Sequence, residues 1–179
     1  VAHPEQLAAL DPAPKTLRKP GAEVREIRIP AEAQYAACNR IILRSEPLAI
    51  HRKWLNEQPG NYGELARQRI MDGGAISAAD YIDALRMRGR LTRAALEAFK
   101  DIDVALTSSS PDPPCRIDDA EGCLHLYARQ TRQPFNITGQ PALAMPAGFT
   151  KDGLPLSLQL VGHPWQEAMV YRVAQAYET

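Results

Sequence analysis

Three consecutive serines, Ser108–Ser110, are the first residues in this sequence that could do chemistry. They follow a short run of β-forming residues, and nucleophiles often lie at strand ends because that position is rigid and exposed. A serine hydroxyl is inert without a base beside it, and the local sequence fixes none. Pro111, Pro113 and Pro114 follow at once, and they favour a rigid exit loop.

Cysteine and histidine side chains are the next candidates, because they bind metals. Cys38, Cys115 and Cys123 form no C-x-x-C pair, and an odd number of cysteines argues against a disulfide scaffold. Cys115, Cys123 and His125 come closest to a metal cluster, but their spacing does not match a zinc site. We therefore expect loop cysteines near a surface histidine, no bound metal, and a reducing compartment such as the cytoplasm.

Clustered charges offer two weaker candidates. Asp118 and Asp119 could act as paired carboxylates, although adjacent acids in a loop more often cap a helix or face water. Four arginines on one predicted helix form a basic run without interleaved aromatic residues, which is typical of a solvated helix face. These arginines are Arg86, Arg88, Arg90 and Arg93.

The most informative stretch runs from Thr131 to Gly162. It contains TRQPFNITGQPALAMPAGF and then GLPLSLQLVG. Proline, glycine and asparagine are dense just before a predicted buried strand, which restricts the backbone there. Asn136 and Gln140 place amide donors and acceptors inside this predicted turn.

These side chains need a folded framework, and the composition provides one. The chain has 179 residues, of which 45% are hydrophobic, enough for one domain with its own core. Its formal net charge is zero, which argues against direct binding of nucleic acid. No apolar run approaches the roughly 18 residues that span a bilayer. We predict a single unit over 1–179 with no membrane partner; the missing initiator Met suggests processing or a fragment.

Apolar residues at helical spacing predict that most of the chain is helical. Pro12 and Pro14 should divide the first segment into two short helices, and Pro47 should kink or divide a long amphipathic helix. Ser77 and Asp80 resemble a capping box at the start of another helix. The predicted helical segments are 4–19, 32–57, 62–71, 77–100, 121–129 and 165–178.

Strands are predicted between these helices, so the sequence indicates an α/β protein. Ile27 and Ile29 alternate with Glu26 and Arg28, which is typical of a half-buried strand closed by Pro30. The other strands are short apolar runs or alternate leucines. All the predicted strands are 22–30, Asp103–Thr107, Ala142–Met145 and Leu154–Gly162.

Taken in chain order, these segments resemble the C-terminal region of the amidase signature enzymes. The closest motifs are P-F-N-x-T-G-x-P-A at 134–142 and G-L-P-x-x-L-Q-L-V-G at 153–162. LRKPGAEV, ILRSEPLAIHRKWL, YIDALRMRGRL and DVALTSSS resemble the family's preceding strand entry, long helix, next helix and core strand. The resemblance implies the C-terminal part of the amidase signature fold, a mixed β-sheet flanked by helices.

The resemblance also implies a function. Family members hydrolyse or transfer carboxamides through a Ser-cisSer-Lys triad, which lies in an N-terminal Gly/Ser-rich signature and an upstream lysine segment. The 179 residues contain neither motif, so no catalytic residue is assigned and the chain alone is predicted to be inactive. We expect the C-terminal portion of a carbon–nitrogen hydrolase whose partner is the missing N-terminal amidase segment. No cofactor is expected.

Four residues match the segment that faces the substrate pocket in the family. The resemblance implies that Arg129, Thr131, Gln133 and Asn136 contact a small amide substrate, with Arg129 as a variable position that sets substrate preference. An alternative is that Asn136 and Thr138 only satisfy buried backbone groups, a common role of polar side chains near tight turns.

Two other functions stay open. The chain could be a non-catalytic module that binds a partner or a small ligand, or it could be part of the amidotransferase subunit that serves glutamyl-tRNA. A homodimer also stays open. Exposed surface separates a module from a fragment, since a sheet cut from a larger enzyme leaves an open edge and an uncovered apolar patch.

Overall fold

The computed structural model describes residues 2–178, which fold into helices around a small β-sheet. The helices are α1 (Pro4–Leu10), α2 (Pro12–Arg18), α3 (Glu32–Glu57), α4 (Glu64–Met71), α5 (Ala78–Phe99), α6 (Ala120–Ala128), α7 (Gln133–Thr138) and α8 (Glu167–Glu178). The strands are β1 (Val104–Ser108), β2 (Ala142–Phe149) and β3 (Pro155–Gly162), and 3-10 turns occupy Pro59–Asn61 and Asp72–Ala75. This is the α/β class that the sequence indicates.

The sheet has the order β1-β3-β2, and both strand pairs are antiparallel. The last strand in sequence is therefore the central one, with Leu160 opposite Leu106 on one side and Leu143 on the other. Leu158 and Leu160 are fully buried, as the alternating leucines predict. Val170 and Ala174 of α8 pack against them and complete the main core.

A second core lies between α3, α5 and α7. Tyr35 and Cys38 of α3 are buried there against Leu91 and Ile137. The Cys38 thiol donates a hydrogen bond to the carbonyl oxygen of Ala84 at 3.2 Å. Burial raises the pKa of both the Tyr35 hydroxyl and the Cys38 thiol, because each is neutral when protonated and costly to ionise in an apolar setting. This core joins the two long helices.

The N-terminal helices form as predicted, but the buried face of α3 differs from the prediction. α1 and α2 are two short helices that meet at Asp11 and Pro12. α3 continues through Pro47 without being divided. Its second half presents large apolar side chains to solvent, because α3 contacts only the short α4 and the two 3-10 turns there. The exposed side chains are Leu43, Ile50 and Trp54.

The predicted strand at 22–30 is not formed within the described residues. Ile27 and Ile29 are half-buried, as their alternation predicts, but the segment pairs with no strand. A cleft of about 730 Å³ separates residues 21–27 from residues 101–106, so no neighbouring backbone can complete a ladder. Arg25 bridges this cleft through an ion pair with Asp101 at 3.7 Å.

The predicted turn at 133–139 is instead the short helix α7. Pro134 lies in its first turn, where the missing N–H costs nothing. Gly139 ends the helix with a φ of 73°, a left-handed conformation that glycine adopts without strain. No helix within residues 2–178 is both long enough and apolar enough to cross a bilayer.

Candidate functional site

The three serines lie where β1 ends, and the structure ties two of them into hydrogen bonds. The Ser108 hydroxyl donates to the carbonyl oxygen of Ser110 at 2.8 Å. The Ser109 hydroxyl bonds the hydroxyl of Ser157 on β3. Both side chains are buried, and neither contacts a histidine or lysine within the described part of the chain. The serines therefore anchor the end of the sheet, in line with the predicted exit loop.

Thr131 closes the long loop that leaves β1. Its hydroxyl donates to the carbonyl oxygen of Ser108 at 2.6 Å and lies 3.4 Å from the Ser108 hydroxyl. The segment made of this loop and α6 thus starts and finishes at one point. Thr131 satisfies a backbone carbonyl, which is a structural role whether or not its other side meets substrate.

Arg129 is placed over the same loop by an ion pair. Its Nε lies 3.2 Å from Oδ2 of Asp112, whose side chain is only 15% exposed. His125, one turn earlier on α6, lies 3.8 Å from the same oxygen and 3.4 Å from Nη1 of Arg129. The structure thus brings Arg129, Asp112 and His125 together at the surface beside the end of β1.

Gln133 and Asn136 differ in their surroundings. The side-chain oxygen of Gln133 is buried and accepts no hydrogen bond from any residue between 2 and 178. A buried acceptor without a donor is uncommon and points to a group outside these residues. Asn136 is exposed on α7 and makes no side-chain hydrogen bond in the described chain. Asn136 therefore does not satisfy a buried backbone group, whereas Thr138 lies 3.5 Å from the carbonyl oxygen of Phe135.

A small cleft opens beside Thr131. It encloses about 150 Å³ between Thr131, Thr107, Phe135 and residues 29–32. Complete ligand sites usually enclose about 300–1,000 Å³, so this cleft can take a small group but not a whole ligand. Its hydroxyl and apolar walls suit part of an organic substrate.

The other candidates have structural partners. Asp118 bonds the Arg116 guanidinium, which holds the pKa of that carboxyl below its usual range, and Asp119 caps α6 by accepting from the Gly122 N–H at 2.9 Å. Arg88 corrects the prediction of a solvated arginine face, since it donates to the carbonyl oxygen of Ile137 at 2.8 Å. No group of three His, Cys, Asp or Glu side chains within residues 2–178 is arranged to hold a metal ion.

Two contributors to this region were missed from the sequence. Asp112 positions Arg129, and its place between Pro111 and Pro113 on a rigid loop was the available signal. Gln6 of α1 is almost fully buried and donates to the carbonyl oxygen of Ser157 at 2.8 Å. Nothing in the local sequence marks Gln6, because its partner is 151 residues away.

Comparison with known proteins identifies the family. The model of the family described as Amidase matches residues 1–171. The chain belongs to the amidase family. An amidase from Pseudomonas putida is 33% identical to it over 98% of this amidase chain, and a glutamyl-tRNA(Gln) amidotransferase subunit from Synechococcus sp. is 31% identical over 97%. The family assignment made from the motifs is thereby confirmed.

Solved structures agree with this assignment. A crystal structure of an amidase superposes on 97% of the amidase chain with a TM-score of 0.82 and 26% identity. A glutamyl-tRNA(Gln) amidotransferase subunit from Thermotoga maritima superposes on 99% with a TM-score of 0.77 and 28% identity. The 179 residues span 39% of the Pseudomonas putida amidase and 41% of the first of these structures, so they match only part of each relative.

Proposed function

We propose that the chain is the C-terminal portion of an amidase signature enzyme that acts on carboxamide C–N bonds. In the complete enzyme a serine outside residues 1–179 attacks the amide carbonyl, the amine leaves, and water releases the acid from the acyl-serine. A second serine and a lysine, also outside, move the proton. The observation that carries this proposal is an amidase match over 1–171 in a chain that spans 39% of its relative.

Uncovered apolar surface supports a further segment. Among the described residues, Ile117 is 98% exposed, Trp165 89% and Phe149 71%. Large exposed apolar side chains in such number favour a surface that another part of a protein covers. They also count against a self-contained binding module, which should cover its own apolar groups.

The free edge of β1 supports the same conclusion. β1 pairs only with β3 in the described sheet, so its other edge has backbone groups without ladder partners. The 730 Å³ cleft lies along this edge, between 101–106 and the unpaired segment 21–27. A strand from the missing N-terminal amidase segment that entered this cleft could bond β1 on one side and residues 21–27 on the other. The N-terminal segment is therefore the proposed partner.

The predicted substrate contacts are retained as part of this proposal. Arg129 supplies a surface cation held by Asp112, Thr131 borders the small cleft, and Gln133 has an unpartnered buried oxygen. Asn136 adds an exposed amide on the next helix. A small amide substrate would meet these groups once the N-terminal segment completes the pocket.

Turnover measurements test the proposal. The purified 179-residue chain should hydrolyse no small aliphatic or aromatic amide. Mixing it with the part of the Pseudomonas putida amidase that it does not cover should produce hydrolysis. In that mixture Arg129→Ala should lower kcat/KM, and Arg132→Ala, on a neighbouring exposed arginine, should not.

Two results would contradict the proposal. One is hydrolysis by the chain alone that Ser109→Ala abolishes, because the nucleophile would then lie within the 179 residues. The other is a stable complex with the remaining amidase segment that still shows no turnover.

An amidotransferase role is a second candidate, since the Synechococcus sp. glutamyl-tRNA(Gln) amidotransferase subunit matches 97% of the chain at 31% identity. The same mixture would then release ammonia from glutamine in preference to simple amides. Ammonia release with glutamine and with unrelated amides, measured side by side, separates the two roles.

A further inference from the structure

Two cysteines face each other beside the Asp112–Arg129 pair. The sulfur atoms of Cys115 and Cys123 lie 3.5 Å apart, and both side chains are partly exposed. Cys115 is on the loop that leaves β1, and Cys123 is in the first turns of α6. The third cysteine, Cys38, is buried in the helical core. The accessible thiols are thus paired, and the inaccessible one is separate.

The local backbone holds the two thiols together. Asp119 caps α6 through the Gly122 N–H, and Arg116 pairs with Asp118 in the preceding turn. A Cβ on Gly122 would lie 3.2 Å from the Cβ of Cys115 and 2.8 Å from Cγ of Asp119. The absence of a side chain at Gly122 therefore allows the Cys115 loop to pack closely against α6.

We propose that Cys115 and Cys123 form a reversible intramolecular disulfide that clamps the loop after β1 to α6. The sulfur atoms must approach from 3.5 Å to about 2.05 Å, a distance within the reach of side-chain rotation and a small loop shift. No third His, Cys, Asp or Glu joins them among residues 2–178, so the arrangement suits a thiol pair better than a metal site.

The reaction needs a small-molecule disulfide such as oxidised glutathione as the oxidant. The thiolate of one cysteine attacks the oxidant, forms a mixed disulfide and releases one glutathione as its thiolate. The second cysteine then attacks the protein sulfur of the mixed disulfide and displaces the other glutathione. Overall, two protein thiols are oxidised to one disulfide, and one oxidised glutathione is reduced to two glutathione molecules.

The clamp would act on the Arg129 region. α6 contains no buried residue, so it is held mainly by its ends and by surface contacts. The disulfide would join its N-terminal turn to the loop that carries Asp112, while His125 and Arg129 follow on and just after the same helix. Oxidation would therefore restrict motion between Asp112 and Arg129, and reduction would release it.

The three cysteines lie on three separate tryptic peptides, which makes the test direct. Cys38 is on peptide 29–40, Cys115 on 101–116 and Cys123 on 117–129. The folded 179-residue chain is incubated with excess oxidised glutathione, alkylated, denatured and digested. We expect the free thiols to fall from three to one, a cross-linked pair of peptides 101–116 and 117–129, and recovery of all three thiols with dithiothreitol.

Variants provide the controls. Cys38→Ala should still form the cross-link, whereas Cys123→Ser should leave only a glutathione adduct on Cys115. The proposal is overturned if the wild-type chain ends with separate glutathione adducts on Cys115 and Cys123, if Cys38 is found in the cross-link, or if all three thiols stay free.

Discussion

Hydroxyl groups at the end of β1 bind the backbone that surrounds them. Thr131 donates to the carbonyl oxygen of Ser108, Ser108 donates to Ser110, and Ser109 bonds Ser157 on the adjacent strand. These contacts make the end of the sheet rigid. Arg129, held by Asp112, and Gln133, with its unpartnered oxygen, are the groups left to meet a substrate.

Asp112 should matter more to stability than an acid in an exposed pair. Asp112→Asn removes the charge that faces Arg129 in a mostly buried position, and we expect the free energy of unfolding to fall by about 1–2 kcal/mol. Asp118→Asn is the matched control, since that carboxylate pairs with Arg116 in open solvent and should contribute little. Urea unfolding of both variants, followed by circular dichroism, measures the difference. Equal losses would contradict the role given to Asp112.

At the level of elements, α3 depends on the turn packed against its second half. Gly73 in the Asp72–Ala75 turn touches the backbone of α3, and a Cβ there would overlap the Arg44 carbonyl oxygen. The same Cβ would lie 3.1 Å from Cβ of Leu48. This close approach covers part of a helix that otherwise exposes Ile50 and Trp54.

Substitution of two adjacent glycines tests this contact. Gly73→Ala should destabilise the chain by about 1–3 kcal/mol, because the helix backbone must move to admit the methyl group. Gly74→Ala should change stability little, since its Cβ would lie 3.7 Å from Cδ2 of Leu48, an ordinary contact distance. Thermal unfolding of the two variants compares them. A Gly73→Ala variant as stable as Gly74→Ala would show that the turn does not pack closely on α3.

On the scale of the whole molecule, the sheet is protected unevenly. β3 is bonded on both sides and contains the fully buried Leu158 and Leu160, whereas β1 is bonded on one side only. The free edge of β1 faces the 730 Å³ cleft. An unpaired edge is a site at which another strand can add, from the missing segment or from a second copy of the chain.

Hydrogen exchange should report this asymmetry. In the 179-residue chain, the β3 amides should exchange slowest, and the β1 amides that face the cleft should exchange much faster. Adding the remaining part of the Pseudomonas putida amidase should slow exchange at β1 and leave β3 unchanged. Protection of β1 equal to that of β3 in the chain alone would contradict a free edge and indicate pairing between two copies. Size-exclusion chromatography of the same sample then distinguishes a homodimer.

The amino-acid sequence alone determined the family, the α/β class and most helix and strand positions. Local spacing is sufficient for these: prolines divide α1 from α2, Ser77 caps α5, and alternate leucines place β3 in the core. These features arise from neighbours within a few residues along the chain. Sequence periodicity therefore predicts them well.

Only the tertiary structure decided which surfaces are covered and which side chains meet. Ile27 and Ile29 have strand periodicity but no strand beside them, and Trp54 lies on a helix whose second half is barely covered. Asp112 joins Arg129, and Gln6 joins Ser157, across long separations in sequence. Pairing and burial depend on what lies next to a segment in space, and no local pattern encodes a neighbour that the chain itself does not supply.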